Sequence, residues 1–206
     1  MKVAIINYGM GNLASVYRAL EDIGCSPFIA EHPSSLYDAH KVILPGVGAF
    51  SEGMSRLRQN GWESAIQDFV QTGKTFLGIC LGMQMLASNG EEGGDTKGLD
   101  LISGKVIRLD KIGCNKRIPH VGWNEVSYKS TNQIFDKIPN SSDFYFVHSF
   151  VFIPSDESHL LATAPYDVSI SAVVQKKNVI GCQFHPEKSS KAGRRLLRNF
   201  LEITQC

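Results

Sequence analysis

Runs of apolar residues alternate with amphipathic segments through the first half of the chain. Residues 3–6, 42–44 and 75–79 are apolar runs of strand length. After the first run, apolar residues recur on one face of a predicted helix: Leu13, Val16, Tyr17, Leu20 and Ile23. Before the third run, the same helical spacing is found at Trp62, Ala65, Ile66, Phe69 and Val70. Such strands, separated by helices, predict a parallel sheet that is covered on both faces.

The pattern changes after a loop rich in Gly and Glu at residues 89–98. Shorter strand candidates follow at residues 144–152, 169–174 and 179–184, before a closing amphipathic helix. No repeat or low-complexity linker divides the chain, so we expect both halves to complete one sheet in a single domain over residues 1–206. The predicted fold is therefore α/β, with a doubly wound, mostly parallel sheet flanked by helices. Ligands of such folds bind beyond the carboxyl ends of the strands.

The charge and hydropathy of the chain argue against several classes of partner. Lys and Arg total 21 against 20 Asp and Glu, and this near balance gives no basic surface for nucleic acid. The longest uncharged stretch, residues 75–90, is too short for a membrane span. The first residues read as a strand without a secretory pattern, so we expect a cytoplasmic protein.

Five cysteines are present without a C-x-x-C pair: Cys25, Cys80, Cys114, Cys182 and Cys206. Their odd number argues against a complete disulfide framework, and their spacing argues against a zinc site. Free thiols and no metal are expected. The chain also lacks a G-x-G-x-x-G opening and a P-loop string, so no nucleotide or other cofactor is predicted.

Gly78-Ile79-Cys80-Leu81-Gly82 lies between a predicted buried strand and a predicted helix. It has the form G-x-C-x-G, the thiol counterpart of the G-x-S-x-G turn that exposes a serine nucleophile. The flanking glycines allow a tight, strained turn and a close approach of substrate. Oriented N–H groups at the start of a helix favour the nucleophilic thiolate. An intracellular cysteine is more often a buried structural residue, but this glycine pattern predicts that Cys80 is a nucleophile.

His185 and Glu187 form a second candidate group, with Pro186 between them. A thiolate that attacks a carbonyl group needs an acid for the leaving group and a residue that orients this acid. Spacing of two residues places both side chains on one side of an extended segment. A histidine near a strand end is more often structural, but together with Glu187 and the Cys80 motif the catalytic interpretation is favoured.

Pro45-Gly46-Val47-Gly48 directly follows the apolar run at residues 42–44. Its glycines can bring backbone N–H groups close to a reacting carbonyl, where such donors stabilise the oxyanion of a tetrahedral intermediate. Turns are commonly rich in Pro and Gly, so the string alone is weak. Its place at a strand end predicts that Gly46, Val47 and Gly48 form an oxyanion loop.

Together these segments resemble the class I glutamine amidotransferases, the triad family that uses Cys, His and Glu. Residues 78–84 and 181–189 match the two signatures of this family in the expected order, and the resemblance covers the whole chain. It implies a catalytic triad of Cys80 as nucleophile, His185 as general acid/base and Glu187 as orienting residue. It also implies glutamine as substrate, with Leu81 in the oxyanion region and Gln84 in contact with glutamine.

Further segments resemble the branch of this family that supplies ammonia to a cyclase subunit with a (β/α)₈ barrel in histidine biosynthesis. These segments are residues 7–12, 45–48, 119–124 and 145–149. By this resemblance, His148 and Ser149 lie near the substrate. The side that faces the partner or its ammonia tunnel would carry Asn12, His120, Trp123 and Lys188. Structural roles stay open for several of them: a helix cap for Asn12, core packing for Trp123 and an inward strand position for His148.

Two features depart from the pattern of that branch. Phe150 follows Ser149 where the branch usually has Tyr, and residues 110–117 form a longer basic insert before Pro119. Two alternatives are therefore kept. One is a paralogous branch with the same triad, which by resemblance would supply ammonia to an amidotransferase that acts on a bacterial surface sugar. An alternative of another class is a non-catalytic binding module on the same fold.

Overall fold

The computed structural model describes residues 1–204, so Cys206 lies outside the described residues. The α-helices of this part are α1 (Leu13–Glu21), α2 (Phe50–Gln59), α3 (Trp62–Gln71), α4 (Leu81–Gln84) and α5 (Ser190–Glu202). Its strands are β1 (Val3–Ile6), β2 (Pro27–Ala30), β3 (Lys41–Gly46), β4 (Phe76–Cys80), β5 (Asn89–Gly90), β6 (Thr96–Lys97), β7 (Gly104–Arg108), β8 (His120–Tyr128), β9 (Ser142–His148), β10 (Phe150–Pro154), β11 (Leu160–Tyr166), β12 (Val168–Lys176) and β13 (Val179–Cys182). Among the helices of residues 1–204, none is both long enough and apolar enough to cross a membrane.

The main sheet has nine strands in the order β2-β1-β3-β4-β13-β12-β11-β8-β9. Neighbouring strands are parallel from β2 to β13. They are antiparallel from β13 to β9. The predicted α/β fold is confirmed, and strands from both halves of the chain share one sheet. Its antiparallel part is formed largely by the region in which the hydrophobic pattern changed.

Helices cover both faces of the parallel part of the sheet because the side chains of its buried strands alternate between two cores. Val3 and Ile5 of β1 pack in one core with the buried residues of α1 and α5. Ala4 and Ile6 of the same strand pack in the other core with the buried residues of α2 and α3. Each strand therefore buries both of its faces, which explains the continuous apolar runs in the sequence.

The strand predicted over residues 144–152 is wrong in one respect, because it is two strands. β9 ends at His148 and pairs with β8 in the main sheet, whereas β10 begins at Phe150 and pairs with β7. β10 belongs to a second sheet, in the order β10-β7-β5-β6. Phe146 and Phe152 are both fully buried, so the apolar pattern continues through the break at Ser149 and conceals it.

Three strand ends meet at one edge of the main sheet. Gly46, at the end of β3, pairs with Cys80, at the end of β4. Cys182, at the end of β13, pairs with Ile79 of β4. The three candidate segments found in the sequence therefore come together beyond the carboxyl ends of neighbouring parallel strands, where ligands of such folds bind.

Candidate active site

Cys80 occupies a sharp turn between β4 and α4. Its backbone has φ 55° and ψ −110°, a conformation that is strained for any residue with a side chain. The glycines on either side permit the turn. A Cβ atom at Gly78 would lie 2.6 Å from the carbonyl oxygen of Gly82, and one at Gly82 would lie 1.8 Å from the carbonyl oxygen of Leu44. The predicted tight turn is therefore present, and its glycines are sterically required.

The predicted helix after Cys80 is present, but it is short. α4 contains four residues, Leu81–Gln84, which is about one turn. A single turn aligns few peptide dipoles, so the electrostatic effect assigned to a helix start is small here.

Gly82→Ala is expected to lower the free energy of unfolding by more than about 3 kcal/mol, because the new methyl group would collide with the backbone of β3. Gly73→Ala is the matched control. Gly73 adopts φ +78°, and an added Cβ there would have no atom within 4 Å. The Gly73→Ala substitution should therefore lower the free energy of unfolding by only about 1–2 kcal/mol, the cost of the left-handed backbone. Urea denaturation of both variants measures the difference. Equal losses would show that the contact with β3 is unimportant.

His185 and Glu187 form a buried hydrogen-bonded pair. Nδ1 of His185 lies 2.7 Å from Oε1 of Glu187, and their side chains are 3% and 2% exposed. The geometry differs from the extended segment that was predicted. The chain turns after His185 into a short 3-10 helix at Pro186–Lys188, and this turn brings Glu187 back to the imidazole. Spacing of two residues therefore joins the pair through a turn rather than along a strand.

The backbone around His185 is held by β9 and Ser189. The His185 N–H group donates to the carbonyl oxygen of Tyr145 at 2.9 Å. Ser189 Oγ accepts from the Tyr145 N–H group and donates to the carbonyl oxygen of His185, at 3.0 and 2.6 Å. These bonds fix the imidazole relative to the sheet, as a general acid/base requires.

The second ring nitrogen of His185, Nε2, is buried and has no hydrogen-bond partner among the described residues. Burial by itself lowers the pKa of this histidine, but its interactions with Cys80 and with Glu187 outweigh burial and raise the pKa above the usual 6.5. The imidazole is therefore suited to hold a proton near the Cys80 sulfur.

A cavity of about 210 Å³ opens beside Cys80. Eight residues named from the sequence line it: Val47, Gly48, Cys80, Leu81, Gln84, His148, Ser149 and His185. Gly46 lies at the end of β3, and an added Cβ there would lie 2.6 Å from the buried Tyr8 hydroxyl. Val47 is 43% exposed, and Gly48 adopts φ +101°. The structure thus brings the three candidate segments around one small cavity.

His148 and His120 are buried and hydrogen-bonded to each other next to this cavity. Nδ1 of His148 lies 2.8 Å from the carbonyl oxygen of Phe150, and Nε2 lies 2.9 Å from Nδ1 of His120. Since a carbonyl only accepts, Nδ1 of His148 carries the hydrogen and Nε2 accepts from His120. Burial is the main cause that lowers the pKa of His148 to about 3 and that of His120 to about 4. Both imidazoles are therefore neutral near pH 7.

The four residues predicted on the partner side occupy different environments. Asn12 caps α1, because its side chain accepts from the N–H group of Ser15 at 3.2 Å. His120 is buried between Phe146 and Tyr166, with ring centroids 4.9 and 4.0 Å away. In contrast, Trp123 is 54% exposed. Trp123 and Lys188 both approach the ring of Tyr145, with the Lys188 Nζ atom 6.0 Å from its centroid.

Two residues near the cavity were not identified as candidates from the sequence. Glu92 lines the cavity, and its Oε2 atom accepts from the N–H group of Phe50 at 3.1 Å. Burial raises the pKa of Glu92. Gln183 is fully buried, and its Nε2 atom lies 3.7 Å from the Cys80 sulfur. Glu92 lies in a loop with no periodic pattern, whereas Gln183 is part of the motif quoted around His185 but was given no role.

The described residues contain no group of three His, Cys, Asp or Glu side chains that could hold a metal ion. Cys80 and His185 line one small cavity with Val47 and Gly48, and Glu187 is hydrogen-bonded to His185. This arrangement on a doubly wound sheet is suited to acyl transfer, and it agrees with the resemblance of the sequence to triad amidotransferases.

A family model described as "Glutamine amidotransferase class-I" matches residues 4–203, and the chain belongs to this family. Individual relatives have names that are more specific than the description of the family. The imidazole glycerol phosphate synthase subunit HisH of Moorella thermoacetica is 44% identical, over 98% of this chain and 95% of the relative. HisH of Bacillus subtilis is 44% identical, over 98% and 96% of the two chains. The chain is thus similar over nearly its whole length to proteins that are named as HisH subunits.

A solved structure supports the fold independently. The structure described as PurLQS from Thermotoga maritima has a TM-score of 0.77 with this chain at 21% sequence identity. The match covers 98% of this chain and 97% of the other. At this identity the likeness concerns the fold, and it agrees with the α/β architecture predicted from the hydrophobic pattern.

Proposed function

We propose that this chain hydrolyses glutamine to glutamate and ammonia, with Cys80 as nucleophile, His185 as general acid/base and Glu187 as orienting residue. The observation that carries the proposal is the strained Cys80 turn, which shares one cavity with a buried His185 that is hydrogen-bonded to Glu187. Membership of the class I family supports the same chemistry. The whole chain, residues 1–206, would act as one catalytic domain in the cytoplasm.

The reaction proceeds by acyl transfer in two halves. The Cys80 thiolate attacks the side-chain carbonyl carbon of glutamine, and the resulting oxyanion is stabilised by backbone N–H groups of residues 46–48 and of Leu81. His185 gives its proton to the departing nitrogen, so that ammonia leaves and a thioester remains. Water then attacks the thioester while His185 takes a proton from it, and glutamate and the thiolate are released.

Glu92 is a candidate for recognition of the substrate's α-ammonium group. It is the only acidic residue on the cavity wall in the described part of the chain. Gln84, His148 and Ser149 would contact the remaining polar atoms of glutamine. A carboxylate close to an ammonium group provides charge-assisted hydrogen bonds, which are stronger than neutral ones.

Glu92→Gln is expected to raise the KM for glutamine by about tenfold with a smaller change in kcat. The amide keeps an oxygen that can accept from the Phe50 N–H group, so only the charge is lost. Glu91→Gln is the control, because Glu91 carries a similar charge but pairs with Lys111 outside the cavity. Steady-state assays of glutamate release compare the two. An unchanged KM in Glu92→Gln would remove this residue from substrate binding.

Ammonia is the useful product, and in bulk water near pH 7 it is protonated to unreactive ammonium. It must therefore pass directly to an acceptor enzyme. The proposed partner is the cyclase subunit of imidazole glycerol phosphate synthase, a (β/α)₈ barrel of histidine biosynthesis, in a heterodimer. The names of the relatives support this choice. The proposed docking side carries Asn12, His120, Trp123 and Lys188. Val121 and Trp123 on β8 are exposed, and exposed apolar surface can mark an interaction site, which supports this choice.

The alternatives have less support. The curated relatives are named as HisH subunits, which favours the histidine pathway over a surface-sugar amidotransferase. A non-catalytic binding module would not need the buried pairing of His185 with Glu187 opposite Cys80. No cofactor enters the proposed reaction, because the nucleophile, the proton donor and the oxyanion donors all belong to the chain.

Glutamate release tests the proposed function directly. It should be measured for the chain alone, with a histidine-pathway cyclase subunit and its ligand, and with a sugar amidotransferase. We expect slow hydrolysis by the chain alone and stimulation by the cyclase subunit, because a partner that binds the competent oxyanion loop increases its population. Stimulation by the sugar enzyme alone would overturn the pathway. Absence of hydrolysis in every mixture would favour the binding module.

A further inference from the structure

Gln183 occupies a position that the proposed reaction leaves unused. It is fully buried directly after β13, and its N–H group donates to the carbonyl oxygen of Ala172. The side chains of Gln183 and His185 both lie near Cys80. Gln183 Nε2 is 3.7 Å from the Cys80 sulfur, and His185 lines the same cavity as Cys80. A fully buried side-chain amide needs hydrogen-bond partners for both its oxygen and its nitrogen.

The hydrogen bonds around Gln183 fix the orientation of its amide. Nε2 of Gln84 lies 3.0 Å from the carbonyl oxygen of Phe150 and 3.0 Å from Oε1 of Gln183. The Phe150 carbonyl can only accept, so the nitrogen of Gln84 must face it and the second N–H bond of that nitrogen goes to Gln183. The oxygen of Gln183 is thereby occupied. Its nitrogen consequently points toward the Cys80 sulfur, at 3.7 Å.

The surroundings of the sulfur explain what this N–H group does. The thiol donates to the carbonyl oxygen of Val147 at 3.8 Å, and this oxygen repels a thiolate. A thiolate needs donors, and α4 is too short to supply much of a dipole. The amide of Gln183 is a side-chain donor that reaches the sulfur, whereas Nε2 of His185 has no hydrogen-bond partner among the described residues. Hydrogen bonds to an ionised acceptor are the strong ones.

We propose that Gln183, held by Gln84 and the Phe150 carbonyl, aims an N–H group at the Cys80 sulfur and stabilises the thiolate before it attacks glutamine. The inference rests on the proposed function, in which Cys80 is the nucleophile. It adds a residue of the catalytic site that acts on the sulfur rather than on the substrate. Gln84 gains a second role, because it orients the amide of Gln183 as well as lining the cavity.

Alkylation of Cys80 by iodoacetamide tests this proposal in the intact chain without a partner. The rate is followed from pH 5 to 10 by peptide mapping, which separates Cys80 from the other cysteines. Gln183→Met keeps the length of the side chain and removes the donor. We expect the midpoint of the pH profile to rise by about one unit, and the rate at pH 7 to fall by up to about tenfold. The other titratable groups around the sulfur, which are His185, His148, Tyr8, Cys182 and Glu92, are unchanged in this variant.

Gln175→Met is the matched control. The Gln175 amide also makes two hydrogen bonds, with Asn132 and Lys177. Gln175 lies in β12 and pairs with Ile180 near the start of β13, whereas the site is beyond the end of β13. Its profile should match that of the wild type. Gln183→Glu, which has nearly the same shape as Gln183, serves if the Met variant does not fold, and its midpoint should rise at least as far.

The outcomes separate the two proposals. If wild-type Cys80 is alkylated with a clear pH midpoint that Gln183→Met and Gln183→Glu leave in place, the role of Gln183 is overturned and the proposed function stands. If wild-type Cys80 is no more reactive than Cys25, the nucleophile assignment fails, and the role of Gln183 fails with it. A shift in the Gln183 variants without a shift in Gln175→Met supports the inference.

Discussion

Cys80→Ser is expected to reduce glutamine hydrolysis by at least about 1,000-fold with little change in fold or partner affinity. A serine hydroxyl stays protonated near neutral pH, whereas the reaction requires an ionised nucleophile. Serine differs from cysteine only in having an oxygen atom in place of the larger sulfur atom. Gly78 and Gly82 are unchanged, so the same turn can form. Glutamate release in the presence of the cyclase partner measures the effect.

Two controls accompany this variant. External ammonium should still support the partner's reaction in the Cys80→Ser complex, since that route bypasses the thioester. Cys25→Ser changes a half-buried thiol that packs against the core of α1 and α5. This variant should keep the hydrolysis rate of the wild type. Retention of more than a few per cent of the rate in Cys80→Ser would exclude Cys80 as the nucleophile.

The second large effect is expected at His185. His185→Ala should lower the rate of hydrolysis nearly as far as the loss of Cys80, by about 1,000-fold, because the imidazole transfers protons in both halves of the reaction. Glu187→Gln should be milder, at about 100-fold. The glutamine oxygen can still accept from Nδ1 of His185, but the charge that stabilises the imidazolium is lost.

The pKa of His185 distinguishes proton transfer by His185 from stabilisation of its charged form by Glu187. Its pKa is raised above 6.5 in part by Glu187, so NMR titration of the imidazole should show a lower pKa in Glu187→Gln than in the wild type. Asp143→Asn, which removes an exposed carboxylate from β9, is a suitable control. An equal loss of activity in His185→Ala and Glu187→Gln, with an unchanged imidazole pKa, would contradict the division of roles.

The hydrophobic pattern predicted β1, β3 and β4 of the parallel half with helices α1 and α3, but it did not predict β2 or α2. Strands such as β1 and β3 are buried on both faces, and their continuous apolar runs differ clearly from the amphipathic helices between them. The second sheet was not predicted, because β5 and β6 have only two residues each and cannot show a period. The break at Ser149 was concealed because apolar residues continue on both sides of it.

The candidate site was predictable where its residues lie in short motifs. Cys80 is marked by its glycines, and His185 by the nearby carboxylate of Glu187. The role of Gln183 depends on a hydrogen bond to Gln84, which is 99 residues away in sequence, so local spacing could not reveal it. The position of His120 was equally hidden, since its burial depends on stacking with Tyr166 from β11.

The most direct test of the account is covalent labelling of the chain by a glutamine-like chloroketone, followed by peptide mapping. Such a reagent binds as glutamine does and alkylates the nucleophile that it meets. The account predicts one label per chain, on Cys80, with labelling slowed by added glutamine and by His185→Ala. Labelling of Cys25, Cys114 or Cys182 instead of Cys80, or labelling of Cys80 that glutamine does not slow, would contradict it.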